Sequence, residues 1–148
     1  MSVFSPELIT FELNATDKVD AISQMAKMVV AAGRGTDVDQ ITKDVLARDV
    51  MGTPQVDGVA IPHARTAGVK ESSVAVARSV NQNIIFDAEE GAAEVLFMIL
   101  VPNEAGDEHI TILSSLARRL MDDEFTKALR VTNDPAELVG LLETPENR

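Results

Sequence analysis

The sequence predicts one α/β domain, and three observations carry that expectation. Apolar, strand-like runs interleave with amphipathic stretches of helical period. Val95–Val101 is an unbroken apolar run stopped by Pro102, the pattern of a strand buried on both faces. No repeat or low-complexity segment divides the 148 residues, a length that suits one core, so residues 1–148 are read as a single domain.

Leu8–Leu13 is expected to be an opening strand or extended segment. Thr16 and Asp17 are both credible N-caps for a helix carrying Val19, Ile22, Met25, Ala26, Val29 and Val30 on one face, with Gly33 as its C′ residue. Asp37-Val38-Asp39-Gln40 reads as a capping box. The helix it opens turns Val38, Ile41, Val45 and Leu46 inward and runs out near Arg48-Asp49. Residues 51–57, with Gly52, Pro54 and the Asp57-Gly58 pair, read as loop and turn.

Val59–Ile61 is a brief strand that Pro62, lacking a backbone donor, should end at or just before His63. Val74–Val80 is a further strand, and Ile84–Phe86 another short one or a strand edge. After the loop 103–106, Asp107 is expected to cap a helix with Ile110, Leu113, Leu116, Ala117 and Leu120 at helical spacing and His109 in its first turn. Asp122–Val131 adds a helix with Phe125 and Leu129 inward. Asp134-Pro135-Ala136-Glu137 joins a cap, a proline at the first helical position and a capping-box glutamate. The last helix carries Leu138, Leu141 and Leu142, and 143–148 are read as a tail.

The net charge of −11 argues against binding a phosphate backbone, so no nucleic-acid partner is expected. It fits partners with basic patches, or simply a well-solvated surface. There is no cysteine, which excludes disulfides and thiolate metal sites. No export signal is visible at the N-terminus, and the longest apolar run is too short to cross a bilayer. A cytoplasmic chain without direct membrane insertion is expected.

His63 is the first candidate for chemistry, because an imidazole at a strand end is placed for nucleophilic, acid–base or ligand roles. A ring merely satisfied by a backbone carbonyl is the plainer reading. His109 is the second. In a first helical turn it joins free N–H groups that favour an anion. Arg48 and Arg65 are the cations nearest His63 in sequence, with guanidinium forks suited to phosphate oxygens, although an arginine at a helix end also suits the dipole. Thr53 can donate a hydroxyl. Two histidines could bind a metal, but HExxH spacing and a third ligand are missing, so no metal or other cofactor is expected. Neither a nucleophile elbow nor a Gly-rich phosphate loop is present. The residues by themselves describe a cradle for a tetrahedral oxyanion and no more.

At this point the sequence resembles the type-2 enzyme IIA domains of the bacterial phosphoenolpyruvate-dependent sugar phosphotransferase system, of the fructose/mannitol class. The resemblance spans nearly the whole chain. It rests on Arg48-Asp49, Thr53-Pro54 and Gly58-Val59-Ala60-Ile61-Pro62-His63, then on Val95–Val101, Pro102 and Gly106-Asp107-Glu108-His109 through Leu113-Ser114-Ser115-Leu116-Ala117. Asp49 stands where glutamate is usual, which keeps the charge. The resemblance implies an α/β sandwich, a mostly parallel mixed sheet with helices on both sides. It implies that His63 is phosphorylated on Nε2, with Arg48 and His109 stabilising the phosphoryl oxygens and Thr53 a weaker contributor. Arg65 matches no motif position and stays a phosphate-binding candidate on proximity alone. The implied partners are the histidine-containing phosphocarrier protein as donor and a cysteine of an enzyme IIB as acceptor, with the membrane enzyme IIC also on another chain. Fructose uptake is the leading expectation, and a nitrogen-related regulatory enzyme IIA is the alternative.

Overall fold

The computed structural model describes residues 2–143, with His109 described by its backbone. A short 3-10 turn, Pro6–Leu8, leads into β1 (Ile9–Leu13). The helices α1 (Lys18–Ala31) and α2 (Val38–Asp49) follow, then the short strands β2 (Gln55–Val56), β3 (Val59–Ala60) and β4 (His63–Arg65). β5 (Ser73–Ser79) and β6 (Val95–Val101) precede α3 (Glu108–Arg119), α4 (Asp123–Val131) and α5 (Pro135–Glu143). The strands form one mixed sheet ordered β1-β5-β6-β3-β2, with β4 also on β6. β1–β5, β3–β6 and β4–β6 pair parallel, while β5–β6 and β2–β3 pair antiparallel.

The expected unalternating strand is β6, and all of its residues are buried. Its two faces serve two cores. Leu96, Met98 and Leu100 join Ala60, Ala64, Ala75 and Ala77 beneath α1 and α2. Val95, Phe97, Ile99 and Val101 join Val59, Ile61, Val74 and Val76 beneath α3, α4 and α5. The expected sandwich with helices on both sides is therefore what forms.

Several local expectations change. Residues 51–57 are not all loop: Gln55–Val56 pairs with β3, and Asp57-Gly58, both with positive φ, make the hairpin turn. A strand of two residues is too short to show a period. Residues 84–86 form no strand, and Ile85 makes only an isolated bridge to Ala92. Val19 and Ile110 are 45% and 51% exposed, and Ala117 is exposed as well, so the buried stripes of α1 and α3 are narrower than expected. Ile112 packs on the second core instead. α1 takes Asp17 as its N-cap and places Gly33 at φ 80° just past its end. The capping box of α2 is made by one arm: Asp37 accepts from the Gln40 N–H, while the Gln40 amide donates to Asp44. Glu137 likewise accepts from the Thr132 hydroxyl at 2.6 Å. α5 includes Glu143, and residues 144–148 of the expected tail lie outside the described residues.

One contact fixes where α2 sits. A Cβ on Gly68 would meet Ile41 Cγ1 at 2.7 Å and the Asp37 carbonyl oxygen at 2.9 Å. Both belong to the start of α2, so the loop after β4 is in backbone contact with the helix. Gly68→Ala is expected to cost about 1–3 kcal/mol by overpacking. Urea unfolding should show a lower midpoint at unchanged slope, and an unchanged midpoint would refute the contact.

Candidate functional site

Pro62 shapes the site by what it lacks. β3 and β4 follow β6 without any slip of register, Val59 and Ala60 opposite Val95 and Leu96, then His63 and Arg65 opposite Ile99 and Val101. They are one parallel strand with a gap. The Pro62 carbonyl still accepts from the Ile99 N–H at 3.0 Å, but the proline has no N–H to return to β6. The Ile61 N–H turns the other way, to the Pro54 carbonyl. The expectation that the strand stops before His63 is thus half met: it breaks at Pro62 and resumes with His63 as the first residue of β4.

His63 is 6% exposed, and its Nδ1 lies 2.9 Å from the Ile61 carbonyl oxygen. A carbonyl only accepts, so Nδ1 carries the proton, and in the neutral ring Nε2 carries the lone pair. The plain reading of a histidine satisfied by a backbone carbonyl and the nucleophilic one therefore coexist, because the carbonyl bond sets the tautomer a nucleophile needs.

His63 lines an open cleft of about 290 Å³ with Ala64, Arg65, Asp44 and Arg48. Arg48 stands in the last turn of α2, where a cation suits the helix dipole. Its guanidinium donates to the Gly52 carbonyl at 2.9 Å, closing the chain just past the helix. Its sequence neighbour Asp49 points elsewhere. The nearly buried Asp49 carboxylate accepts from Lys18 Nζ and from the Thr53 hydroxyl, each at 2.5 Å. That knot ties the start of α1 and the loop after α2 to the end of α2, on which Arg48 is mounted. Thr53 is part of the knot and does not line the cleft.

Arg65, next but one to His63, shares its face of the strand. It donates to the carbonyls of Asn103 (3.2 Å) and Gly106, and pairs with Asp107 at 3.6 Å. The expected cap, Asp107, makes no side-chain cap bond to its own helix. His109 is the second residue of α3, and its side chain lies outside the described residues. The structure thus brings His63, Arg48 and Arg65 to one cleft and adds Asp44, which sequence reading did not single out. The available signal was the four-residue recurrence of Gln40, Asp44 and Arg48 along one helix face. Among the described residues no group of three or more His, Asp and Glu side chains is gathered as for a metal ion.

A mixed-sheet sandwich that presents one buried histidine at a broken strand, beside an arginine on a helix end, defines a small histidine-presenting α/β domain. Residues 2–144 match the family described as phosphoenolpyruvate-dependent sugar phosphotransferase system, EIIA 2, and the chain belongs to that family. It is 40% identical to the PTS system fructose-specific EIIA component of Haloferax volcanii, over 87% of this chain and 85% of that one. It is 29% identical to the nitrogen regulatory protein of Bradyrhizobium diazoefficiens, over 95% and 92% of the two chains. Several longer multidomain relatives are matched over about a fifth of their length, 21% for one of Escherichia coli. Among solved structures, the nitrogen regulatory protein IIA-Ntr of Neisseria meningitidis superposes with a TM-score of 0.83 at 23% identity, covering 95% of this chain and 96% of that one. The mannitol enzyme IIA of Escherichia coli, solved in complex with phosphorylated enzyme IIB, gives 0.72 at 21% identity, covering 94% and 96%. At these identities the two structures speak for the fold. Among the described residues no helix is long and apolar enough to cross a membrane.

Proposed function

We propose that this enzyme IIA domain is a cytoplasmic phosphoryl carrier that works through His63. The observation that carries the reading is the Nδ1–H bond to the Ile61 carbonyl, which assigns the lone pair to Nε2 of a residue lining the cleft. The first step is in-line attack of Nε2 on a phosphohistidine of the histidine-containing phosphocarrier protein. The donor N–P bond breaks as the His63 N–P bond forms, and Nδ1 keeps its proton. In the second step a cysteine thiolate of an enzyme IIB attacks the phosphorus, the His63 Nε2–P bond breaks as S–P forms, and His63 returns to its neutral form. No cysteine occurs among these 148 residues, so the acceptor thiolate lies outside them. Such transfers depend on positioning and on stabilising charge over the phosphoryl oxygens. Arg48 is the cation assigned to that task, with His109 as the second donor.

Fructose is the proposed sugar, supported by the Haloferax volcanii relative and its named specificity. A regulatory role, in which phosphorylation controls binding to other proteins, is the second reading and is supported by the Bradyrhizobium diazoefficiens relative. The test is intact-protein mass spectrometry after incubation with phosphoenolpyruvate, enzyme I and the phosphocarrier protein. One acid-labile, alkali-stable phosphoryl group on His63 is expected, discharged by addition of a fructose enzyme IIB. No modification of folded protein refutes the carrier role. A stable phosphoprotein that no sugar-specific IIB discharges favours regulation.

A further inference from the structure

We infer that Arg65 is a positioning residue: from β4 it clamps the loop 103–107 and so sets where the first turn of α3 stands relative to His63. The inference rests on the carrier reading for its effect on transfer, but the clamp is legible without it. Arg65 holds three points of one segment at once, the carbonyls of Asn103 and Gly106 and the carboxylate of Asp107. These are the residues that lead the chain off β6 and into α3. A cation here works against the dipole of α3, which favours negative charge at its N-terminus. Its placement therefore calls for a compensating task, and holding the loop carbonyls is that task.

The start of α3 needs an external hold. Asp107, at its N-cap, has φ −98°, ψ 20° and makes no side-chain bond to the first-turn N–H groups. Those groups rely on the Asp107 carbonyl, which accepts from Ile110 at 3.0 Å and Thr111 at 3.4 Å. A second tie, from the Ser72 hydroxyl to the Glu108 carboxylate, meets the same turn from the strand-β5 side. Arg65 on β4 and Ser72 just before β5 thus tie the turn whose backbone includes His109. Because Arg65 shares a strand with His63, the distance from the nucleophile to that turn is set within the sheet and does not depend on a flexible loop. A planar fork suits this work, since one guanidinium can serve several acceptors whereas an ammonium is a point donor.

The test combines Arg65→Gln and Arg65→Lys in the full chain with hydrogen exchange and phosphoryl-transfer kinetics. In Arg65→Gln the amides of residues 107–112 should exchange faster while those of β5 and β6 stay protected. Transfer from the phosphorylated phosphocarrier protein should fall in kcat by about 10- to 100-fold, the scale of a small misplacement of a reacting group. KM for the carrier should stay within about two-fold, and Arg65→Lys should recover part of kcat. Unchanged exchange at 107–112 overturns the clamp. Faster exchange with unchanged kcat overturns its role in transfer, and a loss expressed mainly in KM would make Arg65 a contact of the incoming phosphocarrier. If the wild-type chain accepts no phosphoryl group, the carrier reading fails, while the exchange result still decides whether Arg65 holds α3.

Discussion

His63→Ala is expected to accept no phosphoryl group at all while remaining folded. The ring is the proposed attacking group, so its removal deletes the N–P bond itself, whereas loss of a stabilising neighbour only slows its formation. The fold should persist because the residue belongs to neither apolar cluster. Loss of the hydrogen bond to the Ile61 carbonyl and of the packing around the ring costs about 1–2 kcal/mol. For a domain of this size that lowers the melting temperature by roughly 2–4 °C per kcal/mol. His63→Asn is the sharper variant. Its side-chain amide can donate to the Ile61 carbonyl as Nδ1–H does, yet it offers no nucleophile. It should therefore melt closer to wild type and still gain no mass in the phosphorylation assay. Phosphorylation of either variant would move the reaction away from His63.

Arg48→Ala should lower the rate of phosphoryl transfer about 10²- to 10³-fold, the usual loss when one preorganised donor to a developing oxyanion is removed. Both guanidiniums lining the cleft donate to backbone carbonyls, and Arg48 is the one proposed to meet the phosphoryl oxygens. Its bond to the Gly52 carbonyl holds it over the end of α2. Arg48→Lys should retain charge but lose the fork, and fall between wild type and alanine. The side chain is half-buried and outside the core, so stopped-flow rates should drop far more than the urea midpoint. Equal loss of stability and rate, or an unchanged rate, would remove Arg48 from the reaction.

The fold was legible wherever one residue pattern had one solution. Val95–Val101 is buried on both faces and admits only a central strand, so its bounds were read to the residue. Asp17, Asp37 and Asp134 each accept the backbone bond expected of a cap. What was missed depended on strand pairing that no run of a few residues displays. Gln55–Val56 is a strand only because β3 lies beside it, and β4 exists because β6 carries on past Pro62. The stripe of α3 was drawn too wide because Ile110 is apolar yet faces solvent. At the site, the type of each residue suggests anion chemistry, while the contacts each makes are a finding of the structure: the Thr53 hydroxyl donates to Asp49, and Arg65 donates to the loop before α3. Nothing local could show the contact of Arg65, since Arg65 and Asn103 meet only across the finished sheet.

The register of β4 on β6 also bears on how the protein comes into being. His63 is placed by pairing with Ile99, and α3 follows only after β6 leaves the sheet, so the site is built from late, non-local contacts. Such pairings close long loops before they stabilise anything, which places folding toward the slower end for a domain of this size. A nascent chain that has not yet released β6 from the ribosome has His63 and Arg48 in sequence but no cleft between them. On the proposed carrier role, competence to take a phosphoryl group appears only once β6 has joined the sheet, and labelling at His63 would report that step.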